Sequence, residues 1–319
     1  LILGNNLRDD YTKSINVGSN NLLLPGLFNP GSRTGELTGN ASISQYRQSA
    51  VYGEFSTAWN NIWFVNVTGR NEWVSVLSTE NLSYFYPGVS TSFVFSEAFS
   101  SLTEFTSLSF GKLYLSYNKT GNVNLAPYAL NNAYSQSNGF PYGNLVGFTP
   151  SSTYPNPDIE PEFVTSWEIG TQMSFFNNRL SLEAGYIFSD SEGQIFNAST
   201  SRATGYNSAM VNAGRMTNNI IELSVSGDVI RAGDFKWNLA YNFSHIRNNV
   251  KELFEGLESF AIFRQSYAAV GEQFPALYVK DYARDSQGRV IVNGTTGHPT
   301  PATELTHLGT MVPPYMMGL

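Results

Sequence analysis

Leu180-Ser181-Leu182-Glu183-Ala184-Gly185-Tyr186-Ile187-Phe188 decides the fold. Leu180, Leu182, Ala184, Tyr186 and Phe188 fall on one face, and Ser181, Glu183 and Gly185 on the other. This is the period of two that only a strand presents as two faces. Asn219–Ile230 repeats the pattern, with Ile221, Leu223, Val225 and Val229 opposed by Glu222, Ser224, Ser226 and Asp228. Phe235–Ser244 repeats it again, with Phe235, Trp237, Leu239, Tyr241 and Phe243 against Lys236, Asn238, Asn242 and Ser244. One face is apolar and the other wet.

Connection lengths sharpen the reading. Asn177-Asn178 and Arg231–Asp234 are tight turns, whereas roughly 30 residues separate Ser189 from Asn219, well above the usual loop median. Short turns at one end and long loops at the other is the profile of an outer-membrane barrel. Phe175, Phe235 and Trp237 sit beside the turns, while Trp167, Tyr186, Phe188, Tyr241 and Phe243 gather toward the loops. At about 3.3 Å per residue, Phe235 to Phe243 spans on the order of 26 Å, which suits two aromatic girdles around a thin hydrocarbon band.

Composition agrees. The chain has 319 residues, 13% charged and 14% aromatic, with 28 Gly and 18 Tyr, so strands and loops should dominate over helices. It contains no cysteine, which removes disulfides and thiolate zinc sites. Three scattered histidines, His245, His298 and His307, argue against a histidine metal cluster. No apolar run approaches the roughly 18 residues of a membrane helix. A net charge of −7 without a Lys/Arg stripe points away from nucleic acid.

In chain order, Leu1–Gln45 is rich in Asn, Gly, Ser and Pro and reads as a connection or surface loop. Residues 46–247 read as eight barrel strands with long extracellular loops. Val51, Gly53, Phe55, Thr57 and Trp59 face one way and Tyr52, Glu54 and Ser56 the other. Asn60-Asn61 then reverses the chain into Ile62–Arg70, flanked by Trp59 and Trp63 as interfacial anchors. Val89–Phe95, a turn around Glu97–Phe105, Leu108–Asn118, the long insert Lys119–Pro161 and Val164–Phe175 follow. Glu54, Lys112, Glu168, Glu183, Glu222, Asp228 and Lys236 all share the polar register. A Lys or Arg facing lipid at mid-membrane costs about 2–4 kcal/mol, so this sorting has a cause. His245 and Arg247 fall on the apolar register close to the loop end, where that cost fades. Residues 248–319 read as an extracellular loop with further strands around Ser266–Val270, Ala276–Tyr282 and Arg289–Asn293, and a tail approaching another strand.

From about Tyr46 to its end the chain resembles the SusC/RagA-type TonB-dependent outer-membrane transporters. The resemblance is carried by Val65-Asn66-Val67-Thr68-Gly69-Arg70-Asn71-Glu72-Trp73 and Tyr84-Phe85-Tyr86-Pro87-Gly88-Val89, then by Gly111-Lys112-Leu113 and Thr120-Gly121-Asn122. Pro161-Glu162 with Ser166-Trp167-Glu168-Ile169-Gly170, and Asn178-Arg179-Leu180, complete it. The order and spacing of these pieces make it specific. The resemblance implies part of a 22-stranded antiparallel transmembrane β-barrel closed by a plug. It also implies a SusD-like surface lipoprotein lid, energy from a TonB complex acting through the plug, contact with outer-membrane lipids, and dimers of transporter-lid pairs. No plug, TonB box or final aromatic-ended strand is found in the sequence, so the expectation is a partial barrel.

A catalytic reading finds no support, since Gly88-Val89-Ser90-Thr91-Ser92 lacks the closing Gly of a nucleophile elbow and His245 lies on the other register from the inner serines. No cofactor, metal site or catalytic residue is expected. Asp281, Asp285 and Gly288 lack the alternating acidic ligands of a calcium loop. Tyr128, Tyr134, Phe140, Tyr142 and Tyr154 in the long insert are the candidate substrate-binding residues, stacking on sugars or gripping a peptide. The plainer reading is that they pack the loop. Arg70, Lys112, Glu168, Glu183 and Glu222 are the candidate lumen-facing or plug-contacting residues. The function expected is import of oligosaccharides or peptides. Alternatives are a passive porin, or a secreted all-β glycan-binding or adhesin protein, whose sandwich strands average nearer six residues than about ten.

Overall fold

The computed structural model describes residues 1–19, 21–105, 107–136, 142–254 and 256–319. Strands β1 (Ile2–Gly18), β2 (Thr38–Trp59), β3 (Trp63–Val74), β4 (Ser83–Phe93) and β5 (Leu108–Asn122) open it. The insert after β5 holds three short strands, β6 (Tyr134–Gln136), β7 (Phe148–Pro150) and β8 (Thr153–Tyr154). The wall resumes with β9 (Glu162–Phe175), β10 (Leu180–Ser199), β11 (Ser208–Ala232) and β12 (Phe235–Glu252). Beyond lie β13 (Ser259–Phe263), β14 (Ser266–Ala269), β15 (Ala276–Val279), β16 (Thr306–Thr310) and β17 (Tyr315–Gly318).

Ten strands form one antiparallel wall in the order β1-β2-β3-β4-β5-β9-β10-β11-β12-β17, and β8 joins β11 in parallel. β13 to β16 make a separate four-stranded sheet, and β6 pairs with β7. Turns are short at one end. Asn60 and Asn61 adopt φ of 51° and 56°, and Asn177 and Asn178 adopt 54° and 62°, left-handed values that asparagine tolerates. Two short helices, α1 (Phe95–Ala98) and α2 (Ser100–Phe105), fill the expected turn between β4 and β5. Every longer connection lies at the other end.

Three expectations are corrected. Residues 1–45 are not loop throughout: β1 and the first part of β2 lie within them, and the two strands pair residue for residue from Ile2↔Glu54 to Gly18↔Thr38. Past Gln48, where β3 stops pairing, this ribbon stands clear of the wall and is wet on both faces. There Arg47 bridges Asp9 at 3.0 Å and Arg8 bridges Asp10, and Asp9 and Lys13 interrupt the apolar register of Leu7, Tyr11 and Ile15. The second concerns the stretch from Ser189 to Asn219, which is mostly a continuation of β10 and β11, paired up to Ser199↔Ser208. Finally, Arg289–Asn293 makes only isolated bridges, Arg284↔Val290 and Val292↔Pro299, while β17 pairs with β12 from His245↔Tyr315 to Asn242↔Gly318.

A wall one strand thick has little interior. Val51, Phe55, Trp63, Val67, Val89, Leu115, Ile169, Tyr186, Ile221 and Trp237 remain exposed on the apolar face. The buried clusters sit at the loop end. Val74, Val76, Leu77, Tyr84 and Ile159 form one, and Val250, Leu253 and Ala268 another.

Candidate functional site

Register alone places the polar groups of the wall. One row crosses the sheet as Ser244, Glu222, Gly185, Gly170, Tyr114, Ser92 and Phe64 on successive strands. The neighbouring row runs Asn242, Ser224, Glu183, Gln172, Lys112. Two glycines beside each other leave a gap in the first row, and the Tyr114 ring lies across it: a methyl group on Gly170 would collide with that ring. Tyr114, Glu168, Glu183 and Glu222, with Asn242 and Ser244, line a recess of about 480 Å³. Glu183 and Glu222 are exposed and Glu168 half-buried. Gln172 donates to Glu183 at 2.9 Å, and the Lys112 ammonium stands 5.8 Å from the Tyr114 ring centroid. Four of the five predicted polar-face residues therefore meet in one patch.

Arg70 belongs elsewhere. Near the loop end its guanidinium binds Glu72 Oε2 at 2.7 Å, and the Tyr86 hydroxyl donates to the same oxygen at 2.5 Å. Tyr84 donates to Oε1 at 3.0 Å, and the Gln48 amide donates there too. Glu72 is 5% exposed. A carboxylate accepts only, and here both oxygens are supplied with donors, as a buried charge requires. Sequence reading named Arg70 and missed its partners. The signal was present in Arg70, Glu72, Tyr84 and Tyr86 sharing one strand face on a β3–β4 hairpin.

The insert is pinned at its downstream root. Ile159 is fully buried against Val74, Val76, Leu77 and Tyr84, and its carbonyl accepts from the Asn81 amide at 3.1 Å. Further upstream the predicted aromatics are dispersed. Tyr128 is exposed with φ of 67°, Tyr134 is exposed on β6, and Tyr142 bridges Leu145. Tyr154, on β8, meets Tyr206 edge-on at 5.3 Å. Phe140 lies outside the described residues. Among the described residues no ring contact joins these tyrosines to one another.

The acidic loop after β15 is closed on itself. Asp285 accepts from the backbone of Gln287 and from both the backbone and the guanidinium of Arg289. The Arg289 backbone N–H, then its guanidinium, hold the Asp285 carboxyl below the usual carboxylate range. Asp281 pairs with Arg284 at 3.6 Å. Among the described residues no three His, Cys, Asp or Glu side chains are grouped to hold a metal ion.

A wall with one apolar and one polar face, short turns below and structured loops above matches a known family. The family model for the TonB dependent receptor-like β-barrel matches residues 3–303. The chain belongs to this family. Over 219 residues it is 27% identical to TonB-dependent receptor P26 of Formosa agariphila, a match covering 67% of this chain and 21% of that protein. To TonB-dependent receptor SusC of Bacteroides thetaiotaomicron it is 25% identical over 218 residues, 66% of this chain and 21% of that one. Among solved structures, the RagAB peptide transporter superposes with a TM-score of 0.84 at 21% identity, covering 99% of this chain and 36% of that chain. The chain thus spans about a fifth of the length of these two curated relatives. It is an outer-membrane β-barrel chain of the SusC/RagA type, and the family is one of receptors and transporters, not enzymes. In such a wall the apolar face meets lipid and the polar face the lumen.

Proposed function

We propose that this chain forms part of the wall and extracellular mouth of an importer that takes up oligosaccharides or peptides through the outer membrane. The wall works within a closed, plugged barrel of about 22 strands. A SusD-like surface lipoprotein covers the mouth, a TonB complex supplies the energy through the plug, and transporter-lid pairs assemble as dimers. The observation that carries the reading is the division of labour along one register: carboxylates and Tyr114 gather on the polar face, while the loop end packs into buried clusters of its own. Arg70 and Glu72 brace that mouth. Lys112, Glu168, Glu183 and Glu222 face the plug or the passing substrate. The insert and its tyrosines supply contact area.

Uptake measured in cells decides it. Deleting the TonB complex should abolish import of a labelled oligosaccharide or oligopeptide mixture, and import that continues unchanged would refute active transport in favour of a passive pore. A tagged full-length receptor should carry the lid lipoprotein with it through purification in detergent.

A further inference from the structure

The hairpin β10–β11 outgrows the wall, since β9 and β12 pair with it only as far as Glu192 and Arg215. Gly193 and Gly214 lie between the paired residues Glu192↔Arg215 and Gln194↔Ala213, and they adopt φ of 71° and 88°. Two left-handed residues facing each other are open to glycine and strained for any other side chain. Above them the hairpin forms an arm, Gln194–Ser199 and Ser208–Ala213, with a short 3₁₀ turn at Arg202–Thr204 beneath its tip.

The arm is zipped to the insert along its length. Asn212 Oδ1 accepts the Glu160 backbone N–H at 2.7 Å, and its amide donates to the Glu160 carbonyl and to the Gly193 carbonyl, both at 2.8 Å. Glu162 accepts the Ile195 backbone N–H at 2.9 Å. Farther out, β8 lies parallel to β11 with Thr153 opposite Ser208, their hydroxyls 2.9 Å apart. The Asn207 backbone N–H donates to the Ser152 carbonyl at 2.7 Å. Ile195 and Met210 pack beside the buried Ile159. The result is that Tyr154 of the insert and Tyr206 of the hairpin tip form one aromatic pair.

We infer that Asn212 is a positioning residue that docks segment 152–162 on the β10–β11 arm, so that insert and arm act as one fixed wall carrying the substrate-contacting pair Tyr154 and Tyr206. A single amide satisfies both backbone polar groups of one insert residue, Glu160, and ties it to Gly193 of the arm. No apolar side chain replaces that geometry, because donor and acceptor must both be present at one place. The inference rests on the importer reading for its substrate and on the hydrogen bonds for its docking.

The test uses the full-length receptor with its lid. Asn212→Ala is compared with wild type for uptake of a mixed oligopeptide digest and a mixed oligosaccharide hydrolysate, and for hydrogen exchange over 152–162. The expected result is a half-saturating concentration raised by about 5- to 10-fold with maximal uptake unchanged, and faster exchange confined to 152–162, as the loss of a few hydrogen bonds predicts. These 319 residues contain no cysteine, so Thr153→Cys with Ser208→Cys makes the only possible disulfide within them, between directly paired positions. Oxidised, it should leave wild-type uptake intact and restore the Asn212→Ala variant. Abolished uptake in the oxidised double-cysteine receptor that keeps Asn212 would mean that insert and arm must separate, which overturns the inference. So would unchanged exchange in Asn212→Ala, or a loss of maximal uptake that the disulfide does not restore. Absence of uptake of either mixture by wild type, with the exchange difference intact, would fail the importer reading and leave the docking standing.

Discussion

Glu72 and Glu222 project from the same face of the same sheet and lead opposite lives. Glu72, near the loop end, is 5% exposed and receives Arg70, Tyr84, Tyr86 and Gln48. Glu222, on the middle of the wall, is exposed and borders an open recess with Glu168 and Glu183. The difference is one of surroundings, since residue type and register are shared. At the loop end the insert folds over the strand face and removes water, so a carboxylate survives there only with a complete donor set. Mid-wall nothing in the described chain covers it, and the carboxylates stay available.

The contrast is broken most directly by Glu72→Leu. Removing one partner of a buried ion pair leaves Arg70 without compensation and two tyrosine hydroxyls without their acceptor. A loss of about 3 kcal/mol or more follows, measured as a lowered urea midpoint for the folded barrel in detergent. A midpoint within error of wild type would show that the network is ornament.

Ile159→Ala comes next. Ile159 is fully buried, so truncation leaves a cavity and costs about 2–4 kcal/mol. Because the insert is a local unit, the effect should appear as faster hydrogen exchange over 75–82 and 152–162 with the lower wall unchanged. Exchange accelerated throughout β9 and β10 would instead make Ile159 part of the barrel's own stability.

How far these features were legible follows from the same physics. Alternation marks a strand where one side is lipid and the other water, so the wall from β2 to β12 could be read, turns included, down to the paired asparagines at 60–61 and 177–178. It fails where both sides are wet. β1 carries Arg8, Asp9, Asp10 and Lys13 beside Leu7 and Ile15 and reads as a loop, although its partner strand is legible from Tyr46 on. The upper halves of β10 and β11 are hidden for the same reason, with Asp190, Glu192, Gln194 and Arg215 on one face, Ser191, Asn197 and Asn212 on the other, and a glycine in each strand. Site residues followed suit: the mid-wall patch came from register, whereas Glu72, Ile159, Tyr206 and Asn212 depend on how distant loops fold over strand ends.

Gly170→Val tests the middle of the wall for steric fit alone. The side chain would drive into the Tyr114 ring and also stand 2.8 Å from the Ala184 carbonyl oxygen, and overpacking of this kind costs about 1–3 kcal/mol. Tyr114→Ala should relieve the ring's share of it, so the double variant unfolds at a higher urea concentration than Gly170→Val but below wild type. Failure of that rescue would place the collision with backbone rather than with the ring.

The smallest effect on stability, and the sharpest test of the comparison, belongs to the combined change Glu168→Gln, Glu183→Gln and Glu222→Gln. If these carboxylates are held open for a partner or cargo, nothing in the wall depends on their charge. The urea midpoint should then move by less than about 0.5 kcal/mol equivalent, as for surface substitutions. Binding of a cationic oligopeptide to the purified receptor should weaken at low salt and match wild type near 1 M, where the screening length shrinks to about 3 Å. A large fall in stability would give Glu222 the same structural duty as Glu72. The distinction between a braced mouth and an available wall would then be lost, because a carboxylate that supports the fold cannot also be kept free for what passes through it.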